Sequence, residues 1–499
     1  MPWDIFSLKT AASVADNYSY SIDTRATSLI VLFILMFWLS GYCDVNVTNK
    51  KIRLSAAVFC LCLLFSSCSY VQSDHAQSSF RFYDKLFTPT TMTYRNGTLV
   101  TLLIQGKYLS VERPRNYSAA RAHKLISSYE DTADSLIPDE LPNIIVIMNE
   151  AFSDLNVLGD FTTNEDYIPF VHSVLAGKEN TISGFTNVSV LGGNTANSEY
   201  EFLTSHTMAF LPQGSIPYQQ YVKKESFSLA SYLKSLGYET IGLHPYGASG
   251  WQRDQIYPLL GFDTFYSLED FDQPEKIRKY VSDKENYEKI LALYEAKEAG
   301  KPLFLFNVTM QNHSSYTESF DNFSPSITVE DSDSTSLSNY LSLLKISDRE
   351  IESLLSYFEQ QKENTIILFF GDHQPTDSVV SDIWKINKKN PHNLSPKEQQ
   401  LRYKTPFFLW ANYDIAEETD VETSVNYLSL RLFEASGIPL NNYYRFIARQ
   451  EESFPVISAI QTRDSSFNYR ELKEVKKELN DYATIQYYHL FEENAHVQQ

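Results

Sequence analysis

Four largely apolar runs, each closing on a polar residue, limit the fold of this chain more than any other feature. Residues 144–148 lead into Asn149-Glu150, 240–243 into His244, 304–309 into Gln311-Asn312-His313, and 366–370 into Gly371-Asp372-His373. Runs of this length and continuity read as strands buried on both faces. Helical patterns separate them. Residues 228–236 place Leu229, Tyr232, Leu233 and Leu236 on one side with Gly237 as the C-cap, and 339–361 reads as a long amphipathic helix. A further strand is expected at 406–410. Over residues 141–460 the alternation predicts an α/β domain, a mostly parallel sheet sandwiched by helices. Ligands bind such sheets at the carboxyl ends of the strands, so the polar residues that close these runs should converge.

A fifth stretch, Leu191-Gly192-Gly193-Asn194-Thr195-Ala196-Asn197-Ser198-Glu199-Tyr200, brings a hydroxyl to the same edge. A β-type run over 185–191 reaches two glycines, and Ala196, Tyr200, Leu203 and Thr207 then keep helical spacing. Thr195 therefore stands where a strand gives way to a helix. Unpaired N–H groups at such a place suit an anion. A hydroxyl there is either an N-cap or a nucleophile for a phosphoryl group.

The chemistry of the remaining residues is consistent with that edge. Glu150, Asp372 and His373 offer two carboxylates and an imidazole, a set that suits Mn²⁺, Mg²⁺ or Zn²⁺. A metal touching the Thr195 hydroxyl would lower its pKa. His313 can donate a proton or bond a phosphate. In Trp251-Gln252-Arg253-Asp254, which follows the His244 strand, Arg253 can fork onto phosphate and Trp251 can wall a small polyol. Asp348 interrupts the apolar face formed by Leu341, Leu344, Ile351, Leu355 and Phe358, as a partner for a histidine or as a backbone cap. Taken singly, Glu150 could be a helix cap, His313 a loop histidine and Asp372-His373 a turn pair. Their joint occurrence at strand ends favours a site.

Two charge-free apolar runs, 26–43 and 54–71, come near the 18–20 or so residues that cross a bilayer. They predict two transmembrane helices within a membrane region over 1–72. Lys50, Lys51 and Arg53 between them predict a cytoplasmic loop, with all that follows outside. Residues 73–140 read as a connector containing a short helix at 98–104, and 461–499 as a C-terminal tail. All 4 cysteines (Cys43, Cys60, Cys62 and Cys68) lie near the start, so nothing later can use a disulfide, a thiolate metal site or a cysteine nucleophile. The net charge of −20 implies no basic surface for nucleic acid.

The motifs Asn149-Glu150-Ala151-Phe152-Ser153-Asp154, Gly193-Asn194-Thr195-Ala196-Asn197-Ser198-Glu199-Tyr200-Glu201, Trp251-Gln252-Arg253-Asp254, Gln311-Asn312-His313 and Gly371-Asp372-His373 resemble, in order and with similar gaps, those of lipoteichoic acid synthases. These are membrane-anchored phosphoglycerol transferases with an alkaline phosphatase/sulfatase-like fold. The resemblance implies that Thr195 attacks the phosphate of phosphatidylglycerol and that diacylglycerol leaves. An acceptor hydroxyl on a glycolipid, teichoic acid or polysaccharide then takes the phosphoglycerol. It implies one Mn²⁺ held by Glu150, Thr195, Asp372 and His373, with His244, Trp251, Arg253 and His313 on the phosphoglycerol. It also implies a catalytic domain on the extracellular side of the cell membrane. Two departures stand out. The better-known members have five spans against two here, and Tyr246 stands where polymerising members tend to carry an acidic residue, which bears on the acceptor. The alternatives are a related transferase or hydrolase for another phospho head group, such as phosphoethanolamine, and a non-enzymatic glycerophosphate sensor. The residues after Ser198 lack the Pro and Arg of a sulfatase formylglycine motif.

Overall fold

A computed structural model describes residues 24–41, 49–82, 89–106, 111–129, 137–138, 140–212, 214–390 and 394–492. The chain forms two compact units, Met1–Ser110 and Val111–Gln499.

The first unit holds the helices Thr24–Ser40 and Lys50–Val71. Among the described residues only Lys50–Val71, 22 residues with none buried, is long and apolar enough to cross a membrane. The other expected span falls short. Thr24–Ser40 has 17 residues, and its apolar part is Ile30–Leu39. At 1.5 Å per residue that helix reaches about 26 Å, less than the roughly 30 Å hydrocarbon core. Its expected continuation to residue 43 lies outside the described residues. The short helix expected at 98–104 forms as Thr98–Gln105, entered from Gly97 at φ 76°.

The second unit is built on a sheet of eight strands, β1 (Asn143–Asn149), β2 (Thr181–Asn187), β3 (Glu239–Leu243), β4 (Thr264–Tyr266), β7 (Leu303–Val308), β8 (Thr365–Gly371), β9 (Lys404–Ala411) and β10 (Glu418–Ser424), while β5 (Lys276–Ile277) and β6 (Tyr280–Val281) form a separate hairpin. Their order is β10-β2-β9-β8-β1-β7-β3-β4. All neighbours pair in parallel except those of β9, which runs against β8 and β2. The other strands therefore point one way and present their carboxyl ends on one edge. The strand expected at 406–410 is present but reversed. The three central strands, β8, β1 and β7, are buried at every position. Each large apolar side chain taken from water there contributes about 1.5–3 kcal/mol.

Helices cover the sheet. The long helix Thr335–Phe358 buries Leu341, Leu344, Ile351, Leu355 and Phe358. Asp348, in the middle of that face, accepts hydrogen bonds from the backbone N–H groups of Phe170 (2.9 Å) and Val171 (2.8 Å), so it caps the helix Pro169–Leu175. The helix Thr195–Thr204 starts at the expected residue but stops before Thr207. The segment read as a C-terminal tail contains β12 (Thr462–Arg463), which pairs with β11 (Val456–Ile457), and the helix Asn480–Phe491 with Tyr482, Ile485, Tyr488 and His489 buried.

The ends of β1 and β8 touch. A Cβ added at Gly371 would lie 1.8 Å from the carbonyl oxygen of Phe152, a backbone atom that cannot step aside. Gly371→Ala should therefore destabilise the second unit by about 3 kcal/mol or more, an overpacking penalty with no local relief. Urea unfolding of the variant against wild type measures it, and an unchanged midpoint would show that the two strand ends can separate.

Candidate active site

The carboxyl edge gathers most of the residues singled out in sequence. Glu150 follows β1, Asp372 and His373 follow β8, and the three are 4, 0 and 3% exposed. They form a cluster in which one ligand-type atom from each lies within 4.8 Å of the others. Thr195 opens its helix after Asn194, which sits in the left-handed region (φ 66°) and gives the first turn no side-chain bond. The Thr195 hydroxyl donates to Glu150 Oε2 at 3.1 Å.

The hydrogen bonds around the cluster leave specific atoms free. Asp372 Oδ1 accepts from the Ala151 N–H at 2.7 Å, while Oδ2 has no hydrogen-bond partner. His373 Nδ1 lies 3.0 Å from the Gln374 carbonyl, which can only accept, so Nδ1 donates there and Nε2 is the ring nitrogen left facing the cluster. Nε2 also lacks a hydrogen-bond partner, although it stands 3.3 Å from Asp372 Oδ2 and 3.7 Å from Glu150 Oε1. Ligand-type atoms so placed and left without hydrogen-bond partners are what a cation would occupy, since buried polar atoms are rarely left unpaired. The donor set, two carboxylates, an imidazole and a hydroxyl, fits a divalent metal. Burial, reinforced by Asp372, pushes the Glu150 carboxyl well above its usual range, and burial raises Asp372 as well. Both directions express negative charge confined without a counter-charge.

The other expected residues surround this cluster. His244 closes β3, is 2% exposed, and donates from Nδ1 to the Val308 carbonyl at 2.9 Å. Burial, helped by Arg253, keeps it neutral. His313 is also lowered by burial, and Asp372 acts on its ring. Its Nδ1 lies 3.0 Å from the Ser314 carbonyl and 3.1 Å from the Tyr280 hydroxyl. Gln311 and Asn312 turn inward instead. Asn312 Nδ2 donates to Asn149 Oδ1 and to Ser347 Oγ, each at 2.9 Å, and Gln311 Oε1 accepts from the Asp283 N–H at 3.0 Å.

Arg253 differs most from expectation. Its fork, read as able to take a phosphate, is turned on the Glu199 carboxylate, and the residue is 2% exposed. Nε lies 3.1 Å from both carboxylate oxygens, Nη2 also binds Oε1, and Tyr257 donates to Oε2 at 2.8 Å. Glu199, itself fully buried, was not singled out in sequence, because its partner lies 54 residues away. Trp251, in left-handed backbone (φ 54°) on the same loop, is partly exposed; among the described residues, the polar and charged contacts of the cluster do not include it. Ser198, one helical turn beyond Thr195, is fully buried and donates to the Asp372 carbonyl at 2.7 Å.

Residues 142–438 match the family model described as sulfatase. The chain belongs to the sulfatase family. Within it, the lipoteichoic acid synthase of Staphylococcus aureus is 25% identical over 454 aligned positions, which take in 86% of this chain and 66% of that protein. A protein of Rhizobium meliloti provisionally assigned to cyclic beta-1,2-glucan modification is 26% identical over 438 positions, 87% of this chain and 67% of that one. The chain thus spans about two thirds of the length of these relatives. The sulfatase-family fold is shared with the Streptococcus pyogenes phosphoglycerol transferase GacH, solved with sn-glycerol-1-phosphate, at TM-score 0.63 and 22% identity over 77% of this chain and 96% of that one. The resemblance to lipoteichoic acid synthases read from the motifs thus holds across the sulfatase-family domain.

The Glu199–Arg253 pair gives a direct test of how this domain is held. Glu199→Gln leaves a buried guanidinium without its counter-charge and should cost about 3–5 kcal/mol. Adding Arg253→Met to it should restore part of that loss. A double-variant loss equal to the sum of the Glu199→Gln and Arg253→Met single losses in urea denaturation would mean that the pair is not coupled.

Proposed function

We propose that this protein is a metal-dependent phosphoglycerol transferase that moves glycerol phosphate from phosphatidylglycerol to a hydroxyl on a cell-surface glycolipid, teichoic acid or polysaccharide. The observation that carries the reading is the Thr195 hydroxyl beside Glu150, with the partnerless Asp372 Oδ2 and His373 Nε2 in the same cluster. Membership of the sulfatase family and kinship with lipoteichoic acid synthase and phosphoglycerol transferase support it.

Glu150, Thr195, Asp372 and His373 hold one divalent ion, Mn²⁺ by resemblance and Mg²⁺ or Zn²⁺ by ligand chemistry. When bound, it supplies the positive charge that lowers the pKa of the Thr195 hydroxyl and holds a phosphoryl oxygen. The chain's own residues do the rest. Thr195 Oγ1 forms a bond to phosphorus, the bond from phosphorus to the diacylglycerol oxygen breaks, and the proton lost by Thr195 is in net terms the one gained by diacylglycerol. His313 carries that proton, since its Nδ1 is engaged and its Nε2 remains to accept and return it. In the second half the acceptor hydroxyl oxygen bonds to phosphorus, the Thr195 Oγ1 bond breaks, and Thr195 takes back a proton. His244, Trp251 and Arg253 are assigned to the phosphoglycerol side by resemblance, and Glu199 and the Gly250 carbonyl engage the Arg253 guanidinium. Lys50–Val71 anchors the chain in the cell membrane with the catalytic domain outside.

Ser198 is the rival hydroxyl. Its bond to the Asp372 carbonyl and its complete burial support a structural role. Thr195→Ala should abolish diacylglycerol release from phosphatidylglycerol, whereas Ser198→Ala should lose about 1 kcal/mol of stability and stay at least partly active. With donor and no acceptor, mass spectrometry should place one phosphoglycerol on the peptide containing Thr195. An active Thr195→Ala protein, or the adduct on Ser198, would overturn the assignment. Elemental analysis of the purified protein should find one divalent ion per chain. Asp372→Asn should lose ion and activity together, because the ligand set has no spare member. Full activity in a metal-free preparation would end the metal reading.

A further inference from the structure

The hairpin of β5 (Lys276–Ile277) and β6 (Tyr280–Val281) stands apart from the main sheet, its two strands pairing only with each other. Its turn residue Arg278 lies in the left-handed region at φ 58°, an unfavourable place for a long side chain. The Arg278 side chain is 5% exposed. Its guanidinium donates to three backbone carbonyls, Nη1 to Ser315 and Nη2 to both Gln311 and His313, each at 2.7 Å. The rings of Tyr280 and Tyr316 lie 5.6 and 5.5 Å from its central carbon. No carboxylate pairs with it among the described residues. The Tyr280 hydroxyl, from the same hairpin, lies 3.1 Å from His313 Nδ1 and donates to the Ser314 carbonyl at 3.0 Å.

Left-handed backbone at a bulky residue and a buried cation without a counter-ion are each unfavourable, and they persist only where the surroundings enforce them. Here both are directed at residues 311–315, the loop that carries His313. A neutral donor could hold one carbonyl. Only the planar fork of arginine reaches several at once in a fixed geometry.

We propose that Arg278 is a positioning residue, clamping the 311–315 loop through three carbonyls so that the His313 ring presents Nε2 to the phosphoryl group of the substrate, while Tyr280 fixes the opposite ring nitrogen. The inference rests on the phosphoglycerol reading of the site. It also gives the hairpin a role, since the Arg278 guanidinium and the Tyr280 hydroxyl both reach His313 or its loop.

The test uses the full-length protein in detergent with Mn²⁺ and follows binding of sn-glycerol-1-phosphate by calorimetry. Arg278→Met and Arg278→Lys should each weaken binding about ten-fold, because an ammonium cannot span the three carbonyls. His313→Ala should weaken it by a similar factor. The double variant R278M/H313A should bind no more weakly than H313A alone, since Arg278 acts through His313, and bound Mn²⁺ should stay at the wild-type level. Additive losses, rescue by Arg278→Lys, or wild-type affinity in Arg278→Met would overturn the proposal. If Arg278→Met does not fold, Tyr280→Phe keeps the clamp and removes only the hydroxyl's contacts with the His313 ring and the Ser314 carbonyl. It should weaken binding about three-fold, with no further loss in the H313A background. Wild-type affinity in Tyr280→Phe, or additivity with H313A, counts against the proposal. Wild-type affinity in H313A itself would remove His313 from the site and with it the phosphoglycerol role given to it, an outcome distinct from an unaffected Arg278→Met.

Discussion

Two buried carboxylates set the terms for the rest of this domain. Glu150 and Asp372 stand in one cluster, both closed off from water, with His373 beside them. Like charges so confined either take up a proton or require a cation. The surrounding bonds are compatible with the second solution. The Ala151 N–H occupies one oxygen of Asp372, and the Gln374 carbonyl engages His373 Nδ1, leaving Nε2 toward the cluster. Ala151 can do this because it takes up left-handed backbone (φ 52°), and its carbonyl accepts from the Tyr340 hydroxyl at 2.6 Å. The long helix thus supports the turn that orients a ligand-type carboxylate, as outer partners commonly do around metal sites.

How much of this was legible in sequence depended on the kind of constraint. Fully buried parallel strands need unbroken apolar runs, so β1, β7 and β8 were visible, and their carboxyl ends named Glu150, His313, Asp372 and His373 directly. β2 (Thr181–Asn187) was misplaced toward 185–191, because its sequence, Thr-Ile-Ser-Gly-Phe-Thr-Asn, carries little apolar signal. Gly184 is there for contact instead, since a Cβ would meet the Val421 carbonyl at 2.0 Å. The direction of β9 leaves no local trace at all. Pairings across long separations were equally hidden: Glu199 with Arg253, and Arg278 with the 311–315 loop, follow from topology and not from spacing. Two-residue strands such as β5 and β6 show no period that a pattern could detect.

The same distinction explains the three-residue motif Gln311-Asn312-His313. Its first two members belong to a buried network. Ser347 Oγ donates to Asp283 Oδ2 at 2.5 Å, Asn149 Nδ2 donates to the same oxygen at 3.1 Å, and Asn312 bridges Asn149 to Ser347. Partly satisfied networks of this kind are costly in a core, whereas well-connected ones fix a single arrangement. Here the network ties the end of β1, the start of the helix Asp283–Ala296 and the long helix to one loop. Only the third member is left to face the site.

The helix that begins at Thr195 is fixed at both ends, by different parts of the chain. Its start lies against the strand ends, through Thr195 to Glu150 and Ser198 to the Asp372 carbonyl. Its far end stops at Ser205 in left-handed backbone (φ 51°), where the Tyr443 hydroxyl donates to the Thr204 carbonyl at 2.9 Å and that of Tyr482 to the Ser205 carbonyl. These are carbonyls that a helix end leaves unpaired. Gln486 then holds both the N–H and the carbonyl of Thr207, at 2.9 Å each. Tyr482 and Gln486 come from the last helix, which reads as a tail in sequence because its buried positions mix Ile485 and Leu490 with tyrosines, threonine, glutamine and histidine. Its polar members satisfy a helix end that apolar side chains could only bury. The position of the Thr195 hydroxyl is therefore determined from two directions, and the second is supplied by the last helix described in the chain.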